Sequence, residues 1–488
     1  MEEQKTLSMN SEIKQITFGN RKDITIKMMV CTESSEEQGN ELSDERLEKI
    51  QTLFKQEVSA PVSILADNQR AWTRSHLETD HIQQVLDLSK KARSAFSAFV
   101  TIGIGGSDLS ARVFHETANN PYHNQLSIEQ RGGAPEVYFT GHTFDPMGLQ
   151  ALMDMLKSRN LLQKTVFNVI SKSGRTGETL ATLMIIRDIL EKEYGGWRNQ
   201  IVATTGLTEK SLLFQFNQAS PFFGILPVPD GVGGRFSAFS PVGLFFLAMT
   251  TGQNESPEDR LHAAIRGVQT ADEHFNDPYP NQNNIAYHLA FWLQNVEEFY
   301  GVSSIVFYNY ADNSRLGEWF VQLYTESIQE RGIGSNVIAA KGPTSNHSIL
   351  NGILAGPRDK AVIFIHWTDL GEDLTIPNNS DGYGFDAFEG LSMNDSQTAS
   401  YRGTEMDFTE KGIPNITLTL PERNIGNVCK LMRTLMDTVA VKGKLQGLHQ
   451  SDGELSLQDE LTYHQSAVEG YKIGTTEIAR DMKREKTS

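Results

Sequence analysis

Short apolar runs that break into turns recur along this chain. They lie at 98–103 (AFVTIG), 136–141 (EVYFTG), 166–170 and 201–205 (IVATT). Helical patterning follows the first three, from residue 109, at 147–158 and at 180–190. Runs this short and apolar are buried strands, and their alternation with helices closes as a parallel sheet covered on both faces. The pattern restarts with a strand at 304–308, a helix at 315–329, a strand at 336–340, a short helix at 345–354 and a strand at 361–366 (AVIFIH). The chain is therefore read as two successive α/β units, joined near 250–285 where Gly252, Pro257, Asp277, Pro278 and Pro280 cluster. Residues 1 to about 45 read as a peripheral arm with a short strand at 24–30, 45–58 as a helix, and the end of the chain from 453 as a charged helical extension.

At 488 residues the chain exceeds one ordinary core. No apolar run reaches the roughly 18–20 residues of a membrane span, and the first ten residues are polar, unlike a signal peptide. Cys31 and Cys429 are the only cysteines, too few to staple a chain this size, so a reducing cytoplasm is expected. A net charge of −17 argues against nucleic-acid or anionic-membrane partners. An anionic substrate would need local cations beside glycine loops.

The third run ends in Ser171-Lys172-Ser173-Gly174-Arg175-Thr176-Gly177 and leads into a helix. Hydroxyls, glycines and free amides at a helix start suit a phosphate group. The spacing is not that of a nucleotide P-loop, so a monophosphate is expected; Lys172 and Arg175 read alone are either ligands or solvated loop charges. Gly103-Ile104-Gly105-Gly106-Ser107 has Asp108 where a dinucleotide motif needs its third glycine. A sugar-binding loop or a plain tight turn remains. Arg235, on the turn Gly233-Gly234, is placed to neutralise an oxyanion. Gln322 and Glu326, four residues apart, share a helix face, which alone is compatible with a solvated surface. His347 sits at an expected helix start, where a proton shuttle or a structural histidine is possible. His76 and His81 lack metal-ligand spacing, and no G-x-S-x-G elbow or cysteine nucleophile motif is present.

Taken in order, GIGGSDL at 103–109, SKSGRTGET at 171–179, GVGGRFSAFSPVG at 231–243, Q-x-x-x-E-S at 322–327, N-H-S at 346–348 and Q-x-x-V-E-x-x-K at 465–472 resemble the glucose-6-phosphate isomerase family of the SIS group. The resemblance is collinear from about 98 to 472. It implies an α/β fold of two SIS-type doubly wound parallel-sheet domains with a C-terminal helical tail. The expected layout is an N-terminal arm and helices at 1–90, a first, small domain at 91–250, a second, large domain at 251–450 and the tail at 451–488.

The implied reaction is reversible conversion of glucose 6-phosphate to fructose 6-phosphate through a cis-enediol, without metal or organic cofactor. Gly105, Gly106, Ser107, Ser171, Lys172, Ser173 and Thr176 would hold the phosphosugar. Glu326 would move the proton between C2 and C1, and Arg235 would stabilise the enediolate. His347 and Lys472 would open the ring, and Gln322 and Gln465 would position the sugar. The family's histidine comes from the neighbouring subunit, so a homodimer is implied. Arg175 stands where many members have threonine, and Glu326 is not followed by the common Ser-x-Gly-Lys.

Three other readings compete with this one. Mannose 6-phosphate is one alternative substrate. An aminotransferase of the same group would need a nucleophilic cysteine at position 2, where this chain has Glu2. A non-catalytic phosphosugar sensor would not need Glu326, His347, Arg235 and Lys472 together.

Overall fold

The computed structural model describes residues 12–18, 23–32, 52, 70–277, 281, 283–329, 332–379, 381–384, 386–450, 461–463 and 466–487. The helix expected over 45–58 lies outside these apart from Thr52.

Eleven strands are described: β1 (Glu12–Phe18) and β2 (Thr25–Thr32); β3 (Ala98–Ile102), β4 (Glu136–Thr140), β5 (Thr165–Ile170), β6 (Ile201–Thr205) and β7 (Gly224–Pro227); β8 (Ser304–Asn309), β9 (Asn336–Lys341), β10 (Lys360–Asp369) and β11 (Asn415–Glu422). The first sheet has the order β4-β3-β5-β6-β7, and all its pairings are parallel. The second has the order β1-β2-β11-β10-β8-β9. Its strands β8 to β11 are parallel, as expected.

The other edge of the second sheet departs from that expectation. β2 runs antiparallel to β11, and β1 antiparallel to β2. The expected arm strand therefore belongs to the sheet, and a second strand precedes it. Alternation explains the docking: Ile24, Ile26 and Met28 all turn inward and are buried, with Ile26 opposite Leu418 and Met28 opposite Ile416.

Both sheets are covered on both faces. Phe99, Val166 and Val202 of the first sheet and Ile305, Phe307, Ile363 and Ile365 of the second enter one continuous core. Their chain neighbours Val100, Phe167 and Ala203 point into a separate core on the outer face of the first sheet. Val306, Val362 and Phe364 do the same on the second. This period-two split is what a doubly wound sheet requires. Between the sheets lies the helix Pro241–Met249, buried at every position. Each phenylalanine it places there, Phe245 and Phe246, contributes about 2–3 kcal/mol by burial.

The stretch expected as a join is largely the helix Pro257–Asn276. Pro257 occupies its first turn, where a missing N–H costs nothing, and Ser256 and Asp259 form a capping box. Its proline marks the beginning of a helix, not an interruption. The chain closes on the helices Ile425–Gln450 and Ser466–Thr487. Among the described residues no helix is long and apolar enough to cross a membrane.

Candidate active site

The strand order changes direction beside β3: β4 lies on one side, and β5, β6 and β7 follow on the other. Ligands of open α/β sheets bind at this point, beyond the carboxyl ends of the strands. The loops after β3 and β5 are neighbours there, since these strands pair directly.

The first loop forms the turn Gly105–Ser107. Gly105 has a φ of +58°, and a Cβ there would sit 2.7 Å from Gln322 Nε2. A Cβ on Gly106 would sit 2.0 Å from the Gly234 carbonyl oxygen. Both positions need glycine, because two backbones and one glutamine side chain converge with no room for a methyl group. The Ser237 hydroxyl, donating to the Gly234 carbonyl at 2.6 Å, holds the facing turn Gly234–Phe236.

In the second loop, Ser171 Oγ and Thr176 Oγ1 are hydrogen-bonded at 2.9 Å. Thr176 occupies the N-cap of the helix Gly177–Tyr194, but its side chain does not cap it. The Thr205 hydroxyl donates to the Ser171 carbonyl at 2.6 Å and lies 2.7 Å from Ser211 Oγ. Gly174 passes so close to Ser211 that a Cβ would lie 2.6 Å from its hydroxyl. Lys172 donates to the Val232 carbonyl at 3.0 Å, tying this loop to the arginine loop. Burial of its ammonium group lowers the Lys172 pKa, with Asp230 opposing. Ser173 accepts from the Arg175 amide at 3.2 Å, and Arg175 Nε donates to the Lys210 carbonyl at 3.3 Å.

Arg235 joins the two units. Its side chain is only 2% exposed. Nε donates to Ser327 Oγ at 2.6 Å, one terminal nitrogen reaches Glu326 Oε2 at 3.4 Å, and the other donates to the Thr462 carbonyl at 2.6 Å. Burial pulls the guanidinium pKa down, opposed by Glu326 and then by Tyr463. Glu326 and Gln322 project from the helix Arg315–Ile328, with Gln322 Nε2 donating to Glu326 Oε1 at 3.1 Å. A half-buried carboxylate thus stands beside a desolvated cation, with a glutamine amide and a glycine loop against it. Such a set can accept a carbon-bound proton and stabilise the oxyanion that results.

The structure brings Gly105, Gly106, Gln322, Glu326 and Arg235 into direct proximity, while Ser107 stands on the loop after β3 and Ser171, Lys172, Ser173 and Thr176 on the loop after its neighbour β5. His347 is elsewhere. Glu326 stands near the end of its helix that leads into β9, where Gln329 already bonds Asn336. His347 follows the opposite end of β9, a strand about 20 Å long at six residues. The helix start expected at His347 is also absent. His347 instead ends the 3-10 turn Thr344–His347, and the next helix is Leu350–Leu354. Three side-chain bonds set this geometry: Ser345 Oγ accepts from the Lys341 amide at 3.0 Å, and Asn346 is pulled inward by Tyr308 and by Thr404. The His347 side chain is exposed.

Lys472, also exposed, lies on the helix Ser466–Thr487. Its neighbour Tyr471 donates to Glu178 at 2.8 Å, in the first turn of the helix that follows the phosphate-type loop. Gln465 lies outside the described residues. Among the described residues no cluster of three or more His, Cys, Asp or Glu is arranged to hold a metal ion.

Four contributors were not legible in the sequence. Ser327 was visible in the E-S pair but carried no role of its own. Thr205 and Ser211, which buttress the Ser171 loop, sit on a different strand and turn. Thr462 acts through its carbonyl, a group every residue carries.

Comparison with known proteins places residues 70–347 in the family described as phosphoglucose isomerase. A glucose-6-phosphate isomerase of Rubrobacter xylanophilus is 30% identical over 421 residues, 85% of this chain and 93% of the relative. One from Symbiobacterium thermophilum is 29% identical, over 81% and 83%. Among solved structures, a hypothetical protein of Thermus thermophilus superposes with a TM-score of 0.75 at 26% identity, covering 89% of this chain and 94% of its own. A glucose-6-phosphate isomerase of Chlamydia trachomatis gives 0.75 at 19% identity, covering 95% and 90%, and so shares the fold.

Proposed function

The chain belongs to the phosphoglucose isomerase family and interconverts glucose 6-phosphate and fructose 6-phosphate, and from that premise we propose how its own side chains divide the reaction. The observation that carries the assignment is Arg235, buried and bonded at once to Glu326, Ser327 and the Thr462 carbonyl.

Ser107, Ser171, Lys172, Ser173 and Thr176 bind the phosphate through hydroxyls, amides and one ammonium group. Gly105 and Gly106 let the sugar approach backbone, and Gln322 and Gln465 orient it. Glu326 takes the proton from C2 of the open-chain aldose and returns it to C1. The negative charge that develops on the C1–C2 oxygens falls to Arg235. The arginine keeps its proton throughout, so it acts as a fixed charge and not as an acid. Lys472, carried beside the phosphate loop by Tyr471 and Glu178, assists ring opening together with His347 of the partner subunit.

The length of β9 between Glu326 and His347 supports shared sites in a homodimer, with the partner subunit supplying the histidine to each substrate. A cytoplasmic location and a place in glycolysis and gluconeogenesis belong to the same reading. Mannose 6-phosphate is the alternative substrate; no feature of this site favours it.

Co-expression tests the shared site. E326Q and H347A homodimers should each turn over ring-closed glucose 6-phosphate poorly. In a heterodimer, one site would regain an intact Glu326 and an intact partner histidine. Random assembly of equal amounts should restore about a quarter of wild-type activity, as twofold symmetry requires. A mixture no more active than the mean of the two homodimers would overturn the shared-site reading.

A further inference from the structure

Arg235 is held from behind by a turn far away in sequence. The turn Leu461–Tyr463 supplies the Thr462 carbonyl that accepts from Arg235 at 2.6 Å. Its other side is anchored by Arg70, whose Nη2 donates to the Tyr463 hydroxyl at 2.9 Å, both side chains being buried. The Tyr463 ring packs on Phe236, the residue after Arg235, with centroids 5.3 Å apart. Phe236 in turn stacks on Trp72 at 4.9 Å. The arginine loop, the 461–463 turn and the 70–72 segment therefore form one buried cluster around the guanidinium.

This clasp has a seat. A Cβ on Gly443, in the helix Ile425–Gln450, would lie 1.7 Å from Thr462 Oγ1. Only glycine lets the turn settle this deeply. The bed beneath is rigid: Arg433 lies 4.8 Å over the Trp72 ring, and it is ion-paired with Asp437 at 3.0 Å and Asp272 at 2.7 Å. The matched family segment ends at residue 347, so nothing in that match assigns a role to this turn.

We propose that Tyr463, locked by Arg70 in a turn whose Thr462 is seated on Gly443, is a positioning residue that sets the Thr462 carbonyl and through it the orientation of Arg235 toward Glu326. The proposal rests on the reading that Arg235 stabilises the enediolate. A guanidinium with three acceptors has one orientation; with the carbonyl withdrawn it keeps two and can swing away from the reacting oxygens. The cost falls on the transition state, because charge develops there and not in the bound sugar. Substrate affinity, carried by the phosphate loop, is untouched.

The test is steady-state kinetics of Y463F and G443A beside wild type and R235A, with thermal melts of each. Y463F keeps the ring against Phe236 and loses only the hydroxyl. G443A changes no group of the clasp, adds a methyl where Thr462 sits, and is favoured by intrinsic helix propensity. Each should lower kcat about tenfold with KM for fructose 6-phosphate unchanged, the signature of an interaction made only in the transition state. Adding Y463F to R235A should cost nothing further, since the tyrosine acts through the arginine. Wild-type kcat in both single variants, or equal multiplication of losses in the double variant, overturns the proposal. Parallel loss of kcat, affinity and melting temperature in both would mark the turn as merely structural and overturn it too. R235A with near wild-type turnover would instead overturn the reading beneath it. Should Y463F fail to fold, G443A alone and in the R235A background decides.

Discussion

Replacing Glu326 by glutamine is expected to lower kcat by about 10³-fold in both directions, within the range that a general base contributes. Affinity for a non-isomerisable phosphorylated sugar alcohol should change little, because the groups proposed to hold phosphate belong to the loops after β3 and β5. Glutamine matches the carboxylate in shape, and Gln322 can still bond it through the side-chain oxygen, so the helix Arg315–Ile328 should keep its packing. What is lost is the capacity to accept a proton from carbon. Turnover within tenfold of wild type, with intact binding measured by calorimetry, would remove Glu326 from the proton transfer.

Arg235→Ala should produce the second-largest loss, about 10²–10³-fold in kcat, comparable to deleting a preorganised oxyanion donor. Two physical effects add. The developing enediolate loses its cation, and Ser327 and the Thr462 carbonyl lose their donor. Removing one partner from a buried charged cluster also costs fold stability, about 3–5 kcal/mol for a fully buried pair. Here the figure is smaller, since the Glu326 side chain is 27% exposed. R235K separates charge from geometry. Lysine supplies the charge but cannot serve Ser327, Glu326 and Thr462 in one plane, so it should recover only a small part of the lost rate. Full recovery by lysine would mean that orientation, and with it the role given to the 461–463 turn, is irrelevant.

The α/β architecture was legible because its central strands are buried on both faces. β3, β5 and β6 read as short, mainly apolar runs, and their observed bounds differ from expectation by at most a residue. β7 and β11 were not. β7 is Gly-Ile-Leu-Pro, four residues with two punctuators. β11 buries Asn415 and Thr417 instead of a continuous apolar face: Asn415 bonds Thr409 and the Ile413 carbonyl, and Thr417 is reached by the Tyr401 hydroxyl. Hydropathy alone does not reveal a strand whose buried polar side chains are satisfied by hydrogen bonds that only the fold supplies. The helix Pro257–Asn276 was hidden by the proline that begins it.

The candidate site divides in the same way. Glycines at 105 and 106 signalled close backbone approach, and the structure supplies the objects that approach, Gln322 and Gly234. Glu326 was ambiguous on its helix because sequence shows a helix face but not what that face meets; Arg235, 91 residues away, is what distinguishes it from a solvated glutamate. His347 was legible as a chemical group but not as a position. Its place beyond the far end of β9 from Glu326 emerges only with the fold.

The most direct measurement follows a deuterium label placed at C2 of glucose 6-phosphate. If Glu326 carries the proton on one face between C2 and C1, wild-type enzyme in ordinary water should form fructose 6-phosphate with part of the label at C1 and the rest replaced by solvent hydrogen, read by NMR early in the reaction. E326Q should show neither conversion nor loss of label from C2. Complete retention of deuterium at C1 with no exchange at any stage, or loss of the C2 label in E326Q at the wild-type rate, would contradict a mechanism built on this carboxylate.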